Sequence, residues 1–366
     1  MNDRENLHAA ALHHLASSSE AKLDRIAKSG ASFEEVWNAN DAGSFVRLGI
    51  KEEDARKLVE EIGRFDVAVL EKKLEKDEVR VLTIRDEAYP LLLKEIADPP
   101  PILYVRGSVE NLKNICLAVV GTRAISRYGR SVVERIVPEL TQAGITIVSG
   151  LALGIDAYAH EVTVNAGGRT VAVLGSGVDR IAPRQNAALG EKILENGGTI
   201  LSEFPLGTEP TNYTFPIRNR VISGLSRGVL VIEAKVKSGS LITAKLALEQ
   251  NRDAFAVPGD VFRDNSGGTN ALIRSGEAKL VTNGEDILSE LGLEGSSITI
   301  AETLQEITFD SAQEEALYRL LDKDGKETDA LIRESALAAH EATGILTMLE
   351  MKRLAKNLGG GVWVRS

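Results

Sequence analysis

Three short runs in this sequence are rich in glycine or serine, and a fourth sets an aromatic beside two arginines. They are Gly121–Thr122–Arg123, Ser149–Gly150 with Gly154, Ser238–Gly239–Ser240 with Thr243, and Phe215–Pro216–Ile217–Arg218–Asn219–Arg220 preceded by Asn212. Glycine lets backbone N–H groups come close to a ligand, and helix N-termini favour an anion. A single loop of this kind is explained by tight turning, whereas several in register point to a crevice lined for phosphates. Positive charge gathers in the same runs. Residues 121–135 hold Arg123, Arg127, Arg130 and Arg135 against one acid, Glu134, and Lys235 and Lys237 lead into Ser238.

Catalytic chemistry is harder to assemble. Of the 5 histidines, His8, His13 and His14 lie near the start, His340 lies near the end, and only His160 lies among the glycine loops. Asp156 and His160 are spaced i, i+4 and can be read as an acid–base pair. The favoured reading is structural, with Asp156 complementing the dipole at a helix start. Glu203 and Glu233 follow strand-like runs, but no metal-ligand spacing joins them. The only cysteine, Cys116, sits in the apolar run 115–120, so a buried strand residue is expected and no disulfide framework is possible. There is no Gly-x-x-x-x-Gly-Lys-Ser/Thr loop, and Gly150 to Gly154 lacks an acidic partner for a ribose. No catalytic residue, metal or cofactor is therefore expected.

Regular elements must position these loops. Apolar runs at 117–120, 145–148, 170–174, 200–201, 229–232 and 254–257 read as strands buried on both faces. Helical runs near 130–142, 156–166, 186–196, 217–226 and 241–250 alternate with them. This alternation predicts an α/β fold, a doubly wound, Rossmann-like parallel sheet with ligands at the carboxyl ends of its strands. Residues 1–75 read as an all-helical domain, either a sterile-alpha-motif-like bundle or one with a helix-hairpin-helix turn at Leu48–Gly49–Ile50. The bundle is favoured because the segment is acidic. Residues 76–294 form the sheet domain, with further strands at 79–84 and 102–105. A linker is expected over 295–309 and a winged helix over 310–366, its recognition helix over 341–357 and its wing turned by Gly359–Gly360–Gly361.

The net charge of −10 argues against a broad basic face for nucleic acid. Its distribution weakens that objection: residues 1–75 hold 11 basic and 15 acidic residues, 76–300 hold 24 and 26, and 301–366 hold 8 and 12. The charged start has no signal-peptide core, and the longest uncharged stretch, 140–155, is too short and polar to span a bilayer. A cytoplasmic protein with no membrane contact is expected.

Across residues 80–290 the motifs, in their order, resemble the DNA-processing protein A (Smf) family. The resemblance is carried by Gly121–Thr122–Arg123 with Ser126, Tyr128 and Gly129, by Ser149–Gly150–Leu151–Ala152 with Gly154–Ile155–Asp156, by Phe215–Pro216–Ile217–Arg218–Asn219–Arg220, by Ser238–Gly239–Ser240–Leu241–Ile242–Thr243, and by Val257–Pro258–Gly259 with Gly268–Thr269–Asn270. It implies an extended Rossmann-like domain that binds single-stranded DNA, forms a homodimer and loads a RecA-type recombinase in natural transformation, without chemistry of its own. Phosphates then rest on the glycine loops with a bidentate contact from Arg123, and Phe215 stacks on a base unless it is a core residue. One of Arg218 and Arg220 faces DNA while the other pairs with an acid such as Glu203 or Glu233, and Asn219 braces. The chain departs from the family at Ile181–Ala182–Pro183–Arg184, where an aromatic often precedes the proline. The rival reading is a nucleoside monophosphate-cleaving enzyme. Against it, Gly267–Gly268–Thr269–Asn270 lacks the glutamate such enzymes carry.

Overall fold

The protein was analysed as a computed structural model, which describes residues 3–15, 20–293, 309, 311–321, 325–335, 337–352 and 354–365. The chain divides into two compact units, Met1–Ile298 and Thr299–Ser366.

The first unit opens with six helices: α1 (Arg4–Leu15), α2 (Glu20–Ser29), α3 (Phe33–Ala39), α4 (Ala42–Arg47), α5 (Glu52–Arg64) and α6 (Val67–Lys76). Ser32 caps α3 in a capping box with Glu35, and Asp41 caps α4 through the Ser44 amide. Gly49 takes φ +81° in the turn before α5. The head is helical as expected, but it does not stand apart as a domain. The run Ala9–Ala10–Ala11–Leu12 of α1 is buried all round the helix and lies in one hydrophobic cluster with Val81, Ile102 and Tyr104 of the neighbouring strands. Short side chains allow close approach, so this helix has become part of the sheet domain's core.

Then come β1 (Val79–Thr83), α7 (Leu91–Lys94) and β2 (Ile102–Gly107), followed by an alternation: β3 (Cys116–Val120), α8 (Arg127–Gln142), β4 (Thr146–Ser149), α9 (Ile155–Asn165), β5 (Thr170–Leu174), α10 (Ala187–Glu195), β6 (Thr199–Ser202), α11 (Thr214–Leu225), β7 (Gly228–Val231), α12 (Gly239–Glu249), β8 (Asp253–Ala256), α13 (Gly267–Ser275), β9 (Lys279–Leu280) and α14 (Gly284–Glu290). Among the described residues these strands form a nine-stranded sheet ordered β1-β2-β6-β5-β4-β3-β7-β8-β9. From β6 to β9 every pairing is parallel, while β1 and β2 add an antiparallel edge. The elements fall within a few residues of those read from the sequence. Burial on both faces is explicit in β3, where Cys116, Ala118 and Val120 join one core cluster while Leu117 and Val119 join another. The order of connection reverses between β3 and β7, and that switch point opens a crevice at the strands' carboxyl ends.

The second unit holds α15 (Ala312–Leu320), β10 (Lys326–Glu327), α16 (Thr328–Ser335), α17 (Ala339–Met351), β11 (Ala355–Gly359) and β12 (Val362–Arg365) around Leu317, Leu331, Leu346, Leu349 and Trp363. The wing is as expected, with Gly359 at the end of β11 and Gly360 and Gly361 before β12 all at positive φ. The recognition helix is shorter than expected. It ends at Met351, Lys352 lies at its C-cap and pairs with Glu314 at 2.7 Å, and Lys356 lies in β11. The expected linker 295–309 lies outside the described residues except for residue 309, as does Arg353.

Candidate nucleic-acid interface

The loops after β3, β4 and β7 are tied to one another by backbone. Thr122 N donates to Glu233 O at 2.7 Å, and Ile155 N donates to Thr122 O at 3.1 Å. Ser149 Oγ donates to Val119 O at 2.6 Å, so this hydroxyl braces the strands and is not aimed at a ligand. Gly154 (φ +86°) lies where any Cβ would strike Thr122 O, and a Cβ on Gly150 would lie 2.5 Å from the Arg218 guanidinium. These two glycines are required by contact within the protein.

Arg218 is buried at 5% exposure, and its Nη1 donates to Gly150 O (2.7 Å) and Val173 O (2.5 Å). Asn219 Oδ1 accepts from its Nε at 3.2 Å, the bracing role read for Asn219. Burial pushes the guanidinium down to about 10, so it stays charged at neutral pH. Arg220 points elsewhere, donating to the Glu203 carboxylate and, at 2.7 Å, to Asp98 O. Arg220 therefore fastens α11 to the β6 exit and the 98–101 connector, and it leaves the set of residues that line the crevice. Neither arginine of the motif is a free cation; the i, i+2 spacing sent them apart, one inward and one sideways.

The acids are likewise explained. Glu233 accepts from Ser126 N (3.0 Å) and Ser126 Oγ (2.6 Å), placing a carboxylate at the N-terminus of α8. Asp156 accepts from Gly150 N at 3.1 Å, and its burial raises its pKa despite Arg218 nearby. His160 turns away to Thr170 Oγ1 (2.6 Å), and burial pushes it down to about 3. The Asp156–His160 acid–base pair is not assembled, and both residues serve the framework. Cys116 is buried and its thiol is pushed up to about 12, as befits a strand residue. Gly267–Gly268–Thr269 opens α13, with Gly268 pressed onto Ala234 O and Lys235 O.

A cleft of about 320 Å³ remains, lined by Gly121, Arg123, Asp156, Asn212, Phe215, Arg218, Asn219, Ser238, Gly239, Ser240, Ile242 and Thr243, among others. Arg123 is exposed, and among the described residues no carboxylate lies within ion-pairing distance of it. Its guanidinium carbon lies 5.7 Å from the centre of the Phe215 ring, and that of Arg218 lies 5.9 Å away. Phe215 is half-buried against Gly175, where a Cβ would come within 3.0 Å of the ring. The N-terminus of α12, capped by Ser238, faces the same space, and nothing lies within 4 Å of a Cβ built on Gly239. Lys235 lies just outside, 3.6 Å from Asp264. Sequence reasoning placed Ile242 in a motif but not in the cleft lining, because apolar type does not distinguish a cleft wall from core. It also did not see Gly175 as the seat of Phe215.

Among the described residues no cluster of three or more His, Cys, Asp or Glu is placed to hold a metal, and no helix is long and apolar enough to cross a membrane. A doubly wound sheet with its ligand-accessible crevice at the topological switch, followed by a winged helix, defines a Rossmann-like α/β protein with a winged-helix appendage. The chain belongs to the DNA recombination-mediator protein A family, whose model matches residues 80–292, and the DprA winged helix domain matches residues 302–361. It is 46% identical over 218 residues to Protein Smf of Escherichia coli K12, covering 60% of this chain and 58% of that protein. With the DNA processing protein DprA of Streptococcus pneumoniae it shares 44% identity over 227 residues, or 62% of this chain and 79% of that one. The X-ray structure of the S. pneumoniae protein covers 79% of this chain and 99% of its own, with TM-score 0.66 and 37% identity. The Helicobacter pylori DNA processing protein A, whose structure addresses a single-stranded DNA binding mode, aligns over 58% of this chain and 95% of its own, with TM-score 0.53 and 31% identity.

Proposed function

We propose that this chain binds single-stranded DNA in the switch-point crevice, protects the strand and passes it to a RecA-type recombinase as a homodimer, without catalysing a reaction. The observation that carries the reading is the unpaired Arg123 over the Phe215 ring, facing the N-terminus of α12. A guanidinium without a carboxylate partner meets a phosphate at little desolvation cost. The aromatic ring stacks on a base regardless of its identity, a contact worth about 1–3 kcal/mol. Gly121, the Ser238–Ser240 turn and Thr243 supply short polar groups around a phosphate, and Arg218 sets the shape of the Gly150 loop from beneath. The narrow cleft suits one strand, and the acidic remainder of the molecule disfavours a duplex lying across it. The H. pylori relative, described as binding single-stranded DNA, supports the same assignment.

Fluorescence anisotropy with labelled oligothymidine, run beside a duplex of equal length, tests this reading. Single-strand preference and a loss of about ten-fold or more for Arg123→Ala and for Phe215→Ala are expected. Equal affinity for duplex, or Arg123→Ala binding as tightly as the native chain, sinks the proposal. Recombinase loading is read separately, as the rate of filament formation on DNA precoated with a single-strand binding protein.

A further inference from the structure

Beside the crevice, the loops after β7 and β8 carry apolar side chains that nothing among the described residues covers. Phe262 is 94% exposed, Val261 79% and Val236 67%. With Lys235, Lys237 and Arg263 they surround a depression of about 450 Å³. These loops are held in place. Asn270 bridges Gly259 through both N–H (3.1 Å) and C=O (2.9 Å), Tyr128 OH donates to Pro258 O (2.6 Å), and Phe262 N donates to Asp260 Oδ1 (2.9 Å). Ala234 N donates to Asn265 O at 2.7 Å, locking the two loops together. A bare phenylalanine on a fastened loop is a presented group, with its ordering cost already met by the fold.

The geometry points to a second stacking platform for the single strand as it leaves the crevice, with Phe262 beneath a base and Lys237 on a phosphate. The inference rests on the single-strand reading of the crevice and extends it. Continuity is the first argument. Lys235–Val236–Lys237 runs directly into Ser238–Gly239–Ser240 of the cleft wall. In the sheet order β3-β7-β8, the loop bearing Phe262 lies two strands beyond the loop bearing Arg123, about 10 Å along the same edge. Charge is the second argument. Lys237 has no carboxylate within ion-pairing distance among the described residues, and the Lys235–Asp264 (3.6 Å) and Arg263–Asp260 (3.4 Å) pairs are exposed and weak enough for a phosphate to displace. A second protein copy fits less well. Lysine is depleted from the cores of protein interfaces, and three apolar side chains fall well short of the roughly 800 Å² per partner of a stable interface.

Anisotropy with a thymidine hexamer and with an oligomer of about twenty nucleotides separates the two sites. Phe262→Ala and Lys237→Gln, both at the surface, are expected to weaken the long strand about five-fold or more and to leave the hexamer within about two-fold. Arg123→Ala is expected to weaken both lengths. If Arg123→Ala weakens both while Phe262→Ala and Lys237→Gln change neither, the second platform is wrong and the crevice stands. If Arg123→Ala changes neither length, the crevice reading falls and takes the extension with it. Equal losses on both lengths for Phe262→Ala place the ring inside the crevice and overturn the extension. A fall in molecular mass by light scattering for Phe262→Ala identifies a self-association surface and also overturns it.

Discussion

At the scale of single residues, both arginines of the 218–220 motif are spent inside the protein, Arg220 on the Glu203 carboxylate and Arg218 on backbone carbonyls. Arg218 is an interior brace that satisfies two backbone carbonyls, so Arg218→Met leaves buried acceptors without a donor. It is expected to lower stability by about 2–4 kcal/mol in urea titration and to abolish binding by collapsing the Gly150 loop. Arg123→Ala is expected to cost binding while leaving the melting temperature within about 1 °C, since no ion pair is lost. The buried histidines set an acid limit. His160 and His13 are both pushed down to about 3 by burial from an ordinary 6.5. The unfolded chain therefore binds more protons below pH 6.5, so their contribution is intact above that pH and is lost as pH falls toward 3. Each is expected to cost about 2 kcal/mol by pH 5, read as a falling urea midpoint that flattens in His160→Gln. Asp156, with its pKa raised, acts in the opposite sense, gaining stability as pH drops through its folded value.

At the scale of elements, the helix starts carry the site, and their caps were partly legible. Ser126 before α8 and Ser238 before α12 are N-cap types in the right places. That Glu233, 107 residues away from Ser126, completes the first cap was not legible, because the pairing depends on β7 lying beside β3. Ser126→Ala is expected to cost about 1–2 kcal/mol by thermal unfolding, from the lost cap and the stranded carboxylate. Gly154→Ala is expected to cost at least as much, since it combines a positive φ with collision against Thr122 O. Strands and helices were read within a few residues because alternating short apolar runs and amphipathic stretches are local signals. The recognition helix was overrun because Lys352–Asn357 looks helical by residue type, while pairing with β12 draws Ala355–Gly359 into a strand.

At the scale of the whole chain, the two units differ in what their removal should do. The 299–366 unit has its own core around Leu346 and Trp363, so a chain ending at residue 298 is expected to unfold cooperatively and keep its single-strand affinity. Removal of residues 1–75 uncovers Val81, Ile102 and Tyr104, and is expected to yield aggregated protein by size exclusion. Binding through a few phosphates predicts a log–log salt dependence with slope about −0.7 per phosphate contacted, shallower by about one contact in Arg123→Ala.

The sequence by itself determined the parallel sheet, the glycine and serine loops at its strand ends, the wing, and the placing of most of the excess negative charge outside the middle of the chain. All of these are written in local composition and period. Tertiary structure decided which charges are spent. Arg218, Arg220, Glu203, Glu233 and Asp156 are absorbed by partners that the sheet order brings from distant segments, leaving Arg123 and Phe215 at the mouth of the cleft. Net charge and motif spacing count ionisable groups, but only the fold decides whether each meets a carbonyl, a carboxylate or solvent, and a phosphate can recruit only those that meet solvent.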